Sequence, residues 1–408
     1  MGVRQAQDGE KADICIINTC SVTEVADHKC RQAIRRMIRQ HPDALVVVTG
    51  CYAQLSSGEI GKIDGVDLIL GSDEKAELLR YVSDAFSGAS SVKTHVAGKT
   101  KDIKSFAPSC SRGNRTRYFL KVQDGCDYFC TYCTIPFARG FSRNASVEFL
   151  VGQAKEVARE GGKEIVLTGV NIGDFGKTTG ERFVDLVKAL DDVEGIERYR
   201  ISSMEPDLIS RELIETCAKS RAFMPHWHIP LQSGSDVVLK LMHRHYSRQL
   251  FADKVLQIKE LMPEAFIGVD VMTGCRGETQ ECFEETFDFL DSLPVSQLHV
   301  FPYSERPGTQ ALNIQYTVSD ADRKERTHRL IQLSDAKTQQ FYTRHIGAEA
   351  EVLLEKNKRG QNMSGFTRNY VRVAVQNTAD RDELENSIVK VRLMHYNKNK
   401  TALVAEMI

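Results

Sequence analysis

No apolar stretch in the 408 residues approaches the roughly 20 needed to cross a bilayer; the longest resemble Ala44 to Val48. Nor does a basic-then-apolar segment open the chain, so no secretion signal or membrane contact is expected and the protein is assigned to the cytoplasm. An excess of one charge is also missing. The 54 Lys and Arg against 55 Asp and Glu leave a formal net charge of −1, which confines any nucleic-acid footprint to local patches. There is no internal repeat, and 41% hydrophobic with 27% charged residues excludes a fibrous or disordered chain. Cysteine, in contrast, is plentiful. Eleven of them, an odd number without a secretion signal, are expected to be reduced thiols, so that clusters point to metal binding or catalysis.

Residues 13–19 and Ala44 to Thr49 read as buried parallel strands flanking a helix from Glu24 to Arg39, with a short strand at Asp67 to Leu70 and a helix from Asp73. This predicts an N-terminal parallel-sheet α/β domain over 1–86. A Ser-, Lys-, Gly- and Thr-bearing stretch over 87–114 reads as a linker. From 115 to 343 a strand-then-helix pattern recurs six times. Its strands lie near Phe119 to Val122, Glu164 to Thr168, Tyr199 to Ser203, His226 to Leu231, Ile267 to Met272 and Gln297 to Phe301, which predicts a partial β/α barrel with its site at the C-terminal strand ends. A long helix from Ser319 to about Arg344 follows. Short Val-rich strands over 344–408 predict a small β-barrel.

Cys126, Cys130 and Cys133 form a C-x3-C-x2-C triplet after the first barrel strand. Three thiolates on a short loop suit three irons of a cubane cluster and leave the fourth open, whereas a structural zinc wants a fourth protein ligand, and none follows within the next dozen residues. The loop resembles that of the radical S-adenosylmethionine superfamily. Asn18-Thr19-Cys20, Gly50-Cys51-Tyr52, Ile135-Pro136-Phe137-Ala138-Arg139-Gly140, His228-Ile229-Pro230-Leu231-Gln232-Ser233-Gly234 and Tyr303-Ser304-Glu305-Arg306-Pro307-Gly308-Thr309 resemble, in order, the signatures of its methylthiotransferases. The stretch from Cys20 through Arg36 looks most like the type acting on threonylcarbamoyladenosine in tRNA. Isopentenyladenosine is the alternative substrate, and a metal-stabilised RNA-binding protein the alternative from another class. Taken alone, Lys29, Arg31, Arg35, Arg36 and Arg39 are equally well a solvated helix face.

The resemblance implies a [4Fe-4S] cluster on Cys126, Cys130 and Cys133 that holds S-adenosylmethionine, and an auxiliary cluster on Cys20 and Cys51. One S-adenosylmethionine would methylate a sulfur there, and the radical from a second would take hydrogen from C2 of an adenine beside the anticodon. Such chemistry belongs to radical cofactors, because acid–base groups do not break that C–H bond at neutral pH. The implied partners are the tRNA anticodon loop, where a base can be splayed out, together with an electron-donor protein and a sulfur donor. Asn171, Ser203 and Glu205 are expected in the cofactor pocket, with Gln232 and Arg244. Small residues after Thr168 equally suit a plain strand-to-helix turn, and Glu205 a surface carboxylate.

The C-terminal barrel resembles the TRAM module, an RNA-binding β-barrel. From Arg344 onward eleven Lys and Arg face eight Asp and Glu, and Phe366, Arg368, Tyr370 and Arg372 would stack bases and hold phosphates unless Phe366 is a core residue. Its removal is expected to weaken tRNA binding and spare cofactor cleavage. In the family a third auxiliary ligand lies in a Gly-Cys turn upstream of the Asn-Thr-Cys motif. Only nineteen residues precede Cys20, without such a turn. Cys15 is an odd separation away on the same strand, and Cys30 lies on the next helix, so a chain short of its first strand and of one ligand is expected.

Overall fold

The computed structural model describes residues 4–7, 9–86, 94–96, 98–111, 116–355, 361–378 and 381–408. It divides into two compact units: residues 1–107 with 125–141 and 304–313, and residues 108–124 with 142–303 and 314–408.

The first unit is built on a parallel sheet in the order β1 (Ile14–Thr19), β2 (Leu45–Gly50), β3 (Leu68–Leu70) and β4 (Thr94–Val96). The sequence Leu-Val-Val-Val explains the central place of β2. Val46 and Val48 are buried with Ile34 of the helix Glu24–Gln40, while Val47, pointing the other way, is buried with Val82 of the helix Leu78–Phe86. The first of these helices starts where Thr23 accepts the Ala26 N–H at 3.1 Å, as a local cap requires. A 3₁₀ turn, Glu74–Glu77, precedes the second, so regular helix begins later than Asp73. β4 lies within the stretch read as linker, and its three residues escape periodicity analysis. Residues 87–93, 97 and 112–115 of that stretch lie outside the described residues.

In the second unit the strands β5 (Ser109–Ser111), β6 (Tyr118–Lys121), β7 (Gln123–Asp124), β8 (Arg143–Asn144), β9 (Glu164–Thr168), β10 (Arg198–Ile201), β11 (His226–Gln232), β12 (Phe266–Thr273) and β13 (Gln297–Pro302) alternate with helices. β6, β9 and β10 run parallel, with β5 antiparallel on the edge; β11, β12 and β13 form a second parallel sheet. A parallel bridge from Tyr199 to Phe223 brings β10 beside the approach to β11. Six strands therefore make the partial barrel. Ser146, Ser210, Ser247, Thr279 and Ser319 each cap the following helix by accepting an N–H three residues on, which is why these helix starts are legible locally. Leu167, Ile229, Val269 and Leu298 fill the core between strands and helices. No helix among the described residues is long and apolar enough to cross a membrane.

The helix Asp320–Thr343 leads to a closed barrel in the order β14 (Glu349–Glu355), β15 (Ser364–Thr367), β16 (Arg372–Val375), β18 (Leu403–Met407) and β17 (Ile388–Tyr396). β15, Ser-Gly-Phe-Thr, has none of the valines by which the sequence marks this barrel. A Cβ on Gly365 would lie 2.1 Å from the Leu353 carbonyl oxygen, so close strand approach demands glycine where β-propensity is lowest. Phe366 and Tyr370 are half-buried and engaged within the unit. They stack at 4.5 Å and take Arg117 and Arg200 against their rings. Arg198, at the start of β10, donates to the carbonyls of Phe366 and Glu351, and Arg200 to those of Thr367 and Arg368. Burial pushes the Arg198 pKa down to about 10, so it stays charged at neutral pH.

Candidate active site

The cysteine loop belongs to the first unit and has a narrow neck. Gly125 has φ 75°, and a Cβ on it would lie 1.9 Å from the Phe141 carbonyl oxygen, so no other residue fits. The Cys126 N–H donates to Gly140 at 3.1 Å and the Cys133 N–H to Cys130 at 3.0 Å. Between them Phe129 occupies the left-handed region at φ 48°, rare for an aromatic residue. The Ile135 N–H points at the Cys133 sulfur, 3.4 Å away. Cys130 is buried and Cys126 and Cys133 are half-buried; exposed Phe129, next to Cys130, meets exposed Phe137 and Phe141 edge to face.

Cys20 and Cys51 are brought together by strand register. Thr19 pairs with Gly50 across β1 and β2, so each cysteine is the next residue beyond one rung. A Cβ on Gly50 would stand 2.3 Å from the Thr19 carbonyl oxygen, which accounts for the Gly-Cys dipeptide. Thr19 ties the two ends, donating to the Thr49 carbonyl at 2.6 Å and accepting the Ala53 N–H at 3.2 Å. Arg139 donates its Nε–H to the Cys51 sulfur at 3.3 Å. Cys15 is buried in the helix-facing core, and burial pushes its thiol up. Cys30 reaches the backbone of Cys20, its thiol donating to that carbonyl at 3.5 Å, and burial pushes it up as well. None of the eleven cysteines is in a disulfide.

Beside these loops a cavity of about 770 Å³ opens in the first unit, with Phe137 on one wall and Asp27, Arg31, Glu59 and Arg306 among its polar lining. Arg306 is buried, paired to Asp27 at 2.6 Å and donating to Ser21 at 2.8 Å, and its Nε has no partner among the described residues. Sequence reading took Arg306 only as part of a motif.

The remaining candidates lie in the second unit, beyond the ends of three successive strands. Asn171 follows β9 and is 2% exposed, with neither atom of its amide group partnered among the described residues. Its backbone is held by Gln123, whose Oε1 accepts the N–H groups of Val170 and Asn171, both at 2.9 Å. Gln123 is fully buried and was missed by sequence reading, since one Gln near a strand end carries no local signal. Ser203 and Glu205 follow β10. Glu205 forms an ion pair with Arg244, whose Nε donates to the Tyr246 hydroxyl at 3.0 Å. Burial outweighs Arg244 and pushes the Glu205 carboxyl up to about 7. Gln232 ends β11 at φ 65°, at a register shift after Pro230. Deeper in the strands, His228 lies 2.6 Å from Asp270, with the His299 ring 4.9 Å away.

Residues 120–290 match the Radical SAM superfamily, and residues 1–71 match Uncharacterized protein family UPF0004. The chain is 39% identical to the threonylcarbamoyladenosine tRNA methylthiotransferase MtaB of Bacillus subtilis, over 97% of this chain and 90% of that protein. The chain belongs to the radical S-adenosylmethionine methylthiotransferases. An Aquifex aeolicus protein of the same name is 39% identical over 86% of this chain and 85% of its own. The tRNA-2-methylthio-N(6)-dimethylallyladenosine synthase of Pelotomaculum thermopropionicum is 33% identical over 90% of this chain and 83% of its own. Among solved structures the fold resembles the radical S-adenosylmethionine methyltransferase TsrM from Kitasatospora setae, at 15% identity and a TM-score of 0.57, covering 74% of this chain and 66% of that one.

Membership makes this methylthiotransferase an enzyme whose cofactors are an iron–sulfur cluster and S-adenosylmethionine. The residues present suit both. No three His, Cys, Asp or Glu side chains form a group able to hold one metal ion among the described residues. A cubane makes a different demand, one thiolate on each iron, and the loop of the methylthiotransferase offers three soft donors from eight consecutive residues. In the second unit the unpartnered Asn171 amide and the Glu205 carboxylate, when ionised, offer donors and acceptors to a polar ligand.

Proposed function

We propose that the enzyme adds a methylthio group to C2 of N6-threonylcarbamoyladenosine next to the anticodon of tRNA. The observation that carries this reading is the 39% identity to the Bacillus subtilis protein over 97% of the chain, above the 33% to the dimethylallyladenosine synthase. When bound, the cluster and S-adenosylmethionine supply the radical that breaks an unactivated C–H bond.

The chain's own residues do the rest. Cys126, Cys130 and Cys133 hold the cluster, on a loop whose neck is pinned at Gly125 and Gly140. Asn171, Ser203, Glu205, Gln232 and Arg244 bind the polar groups of S-adenosylmethionine, with Gln123 and Tyr246 as positioning residues behind Asn171 and Arg244. Cys20 and Cys51 are two ligands of an auxiliary cluster that carries the sulfur. The cavity lined by Phe137 and Arg306 receives the splayed-out base: Phe137 is exposed for stacking, and the unpartnered Arg306 Nε is a donor for the polar N6 substituent. An electron-donor protein and a sulfur donor complete the reaction, and the enzyme acts in the cytoplasm, where charged tRNA is found.

The test is mass spectrometry of tRNA nucleosides from a deletion strain complemented with this chain. Restoration of the 2-methylthio form of threonylcarbamoyladenosine is expected. Restoration of only the methylthio isopentenyl or dimethylallyl nucleoside would replace the substrate, and no methylthio product would remove the reading.

A further inference from the structure

The helix Glu24–Gln40 carries five cations and only two acids, Glu24 and Asp27, both in its first turn. Asp27 is buried against Arg306, and Arg31 turns to Tyr52 and Glu59, to which it donates or pairs at 2.7 and 3.7 Å. Lys29, Arg35, Arg36 and Arg39 are left. All four are exposed, and with Gln32 and Ala33 they line one shallow concavity that contains no acidic residue. None of the four forms an ion pair or a side-chain hydrogen bond among the described residues.

A face of this kind costs the helix stability. Arg31, Arg35 and Arg39 stand at successive i, i+4 positions, where like charges repel by a few tenths of a kcal/mol per pair; Asp27, four residues before Arg31, is committed to Arg306, and no Glu or Asp of the helix stands three or four residues from Lys29, Arg35, Arg36 or Arg39. Only Arg39, in the last turn, is favoured by the helix dipole. A merely solvated face in a chain of net charge −1 has acids available to intersperse; this one has none. Internal packing therefore does not account for it, and charge complementarity points outward, to a polyanion.

We propose that Lys29, Arg35, Arg36 and Arg39 form a phosphate-binding face that grips the sugar-phosphate backbone of the tRNA substrate. The proposal rests on the reading of tRNA as substrate, but not on which adenosine is modified. The ten helical steps from Lys29 to Arg39 span about 15 Å. At a few ångströms of axis per nucleotide, that is the length of several successive phosphates on one strand. Three of the four cations are arginines, whose planar guanidinium pairs with phosphate oxygens through two N–H groups at once. The face lies on the helix that begins at Thr23, so RNA held there is held by the same unit that carries Cys20 and Cys51.

The test compares the full-length holoenzyme with a variant carrying K29Q, R35Q, R36Q and R39Q, using an anticodon stem-loop RNA without the N6 substituent and the same RNA with it. Loss of four phosphate contacts should lower the slope of log affinity against log salt by about 3 and weaken binding on the order of 100-fold at low salt, equally for both RNAs. KM for tRNA should rise with kcat little changed, and deoxyadenosine formation without tRNA should stay as in wild type, which also shows that the variant is folded. The R35K, R36K, R39K variant keeps the charges and should recover most of the slope. Wild-type affinity and salt slope in the fourfold variant would overturn the proposal and leave the face to solvent or to an acidic protein. If instead both RNAs lose binding while nucleoside analysis shows a different modified base, the substrate assignment fails and the phosphate-binding face stands.

Discussion

Glu205 gives the candidate site a pH dependence of its own. Its carboxyl holds its proton up to about 7 when folded, whereas an unburied glutamate releases it near 4.5. The folded state thus binds more protons between those values, so this group favours folding fully below about 4.5 and loses that contribution as pH rises through 7. Ligand binding runs the other way. If the ionised carboxylate accepts from S-adenosylmethionine, affinity measured by calorimetry should rise about tenfold from pH 6 to pH 8, and Glu205→Gln should flatten the profile. Cys126→Ala, Cys130→Ala and Cys133→Ala should each reduce deoxyadenosine formation to background, because two thiolates no longer hold a site-differentiated cubane. Wild-type rates in any of the three would remove the assignment. Arg139→Gln takes the Nε–H from the Cys51 sulfur; hydrogen bonds to ligand sulfurs raise cluster potentials, so the auxiliary cluster proposed on Cys20 and Cys51 should reduce at a more negative potential in an EPR-monitored titration.

Among the elements, the docking of the C-terminal barrel has the clearest consequence. Arg198 and Arg200 are each 1% exposed and send their guanidinium groups into the carbonyls of Phe366, Glu351, Thr367 and Arg368. Arg200 also pairs with buried Glu164 at 3.0 Å. Truncation before Arg344 would strip these carbonyls away and leave two guanidinium groups at the foot of β10 without their acceptors. The expectation that the barrel can be removed while cofactor cleavage is spared is therefore revised: the truncated chain should melt earlier or aggregate. Arg200→Met in the full chain, which leaves Glu164 without that partner, should cost about 3–5 kcal/mol, seen as a lower thermal midpoint. A midpoint equal to wild type would show that the docking contributes no stability.

For the molecule as a whole, the two cysteine sets predict separable activities. Cys20→Ala or Cys51→Ala should abolish methylthiolated nucleoside while deoxyadenosine formation persists if, as proposed, the loop at Cys126 to Cys133 alone serves cofactor cleavage. Both products are read by mass spectrometry from one reaction. Loss of both activities together would mean that the N-terminal cysteines support the loop rather than a second cluster.

The C-x3-C-x2-C spacing, the six strand–helix repeats and the Ser and Thr caps were legible in the chain because each is a local property: a loop of a few residues, a period of 2 or 3.6, a side chain bonding three residues on. Asn171 and Glu205 could be nominated because strand ends are local too. Other features needed the folded chain. Register across β1 and β2, enforced by Gly50, sets Cys51 beside Cys20; Arg139, 88 residues away, reaches its sulfur. Gln123 shapes the turn at Asn171 across 48 residues, and the rings of Phe366 and Tyr370 are met by Arg117 and Arg200, more than 160 residues distant. Spacing along the chain limits which residues share a loop or a helix face, but which of them meet across the fold depends on strand pairing and on what each buried donor must satisfy.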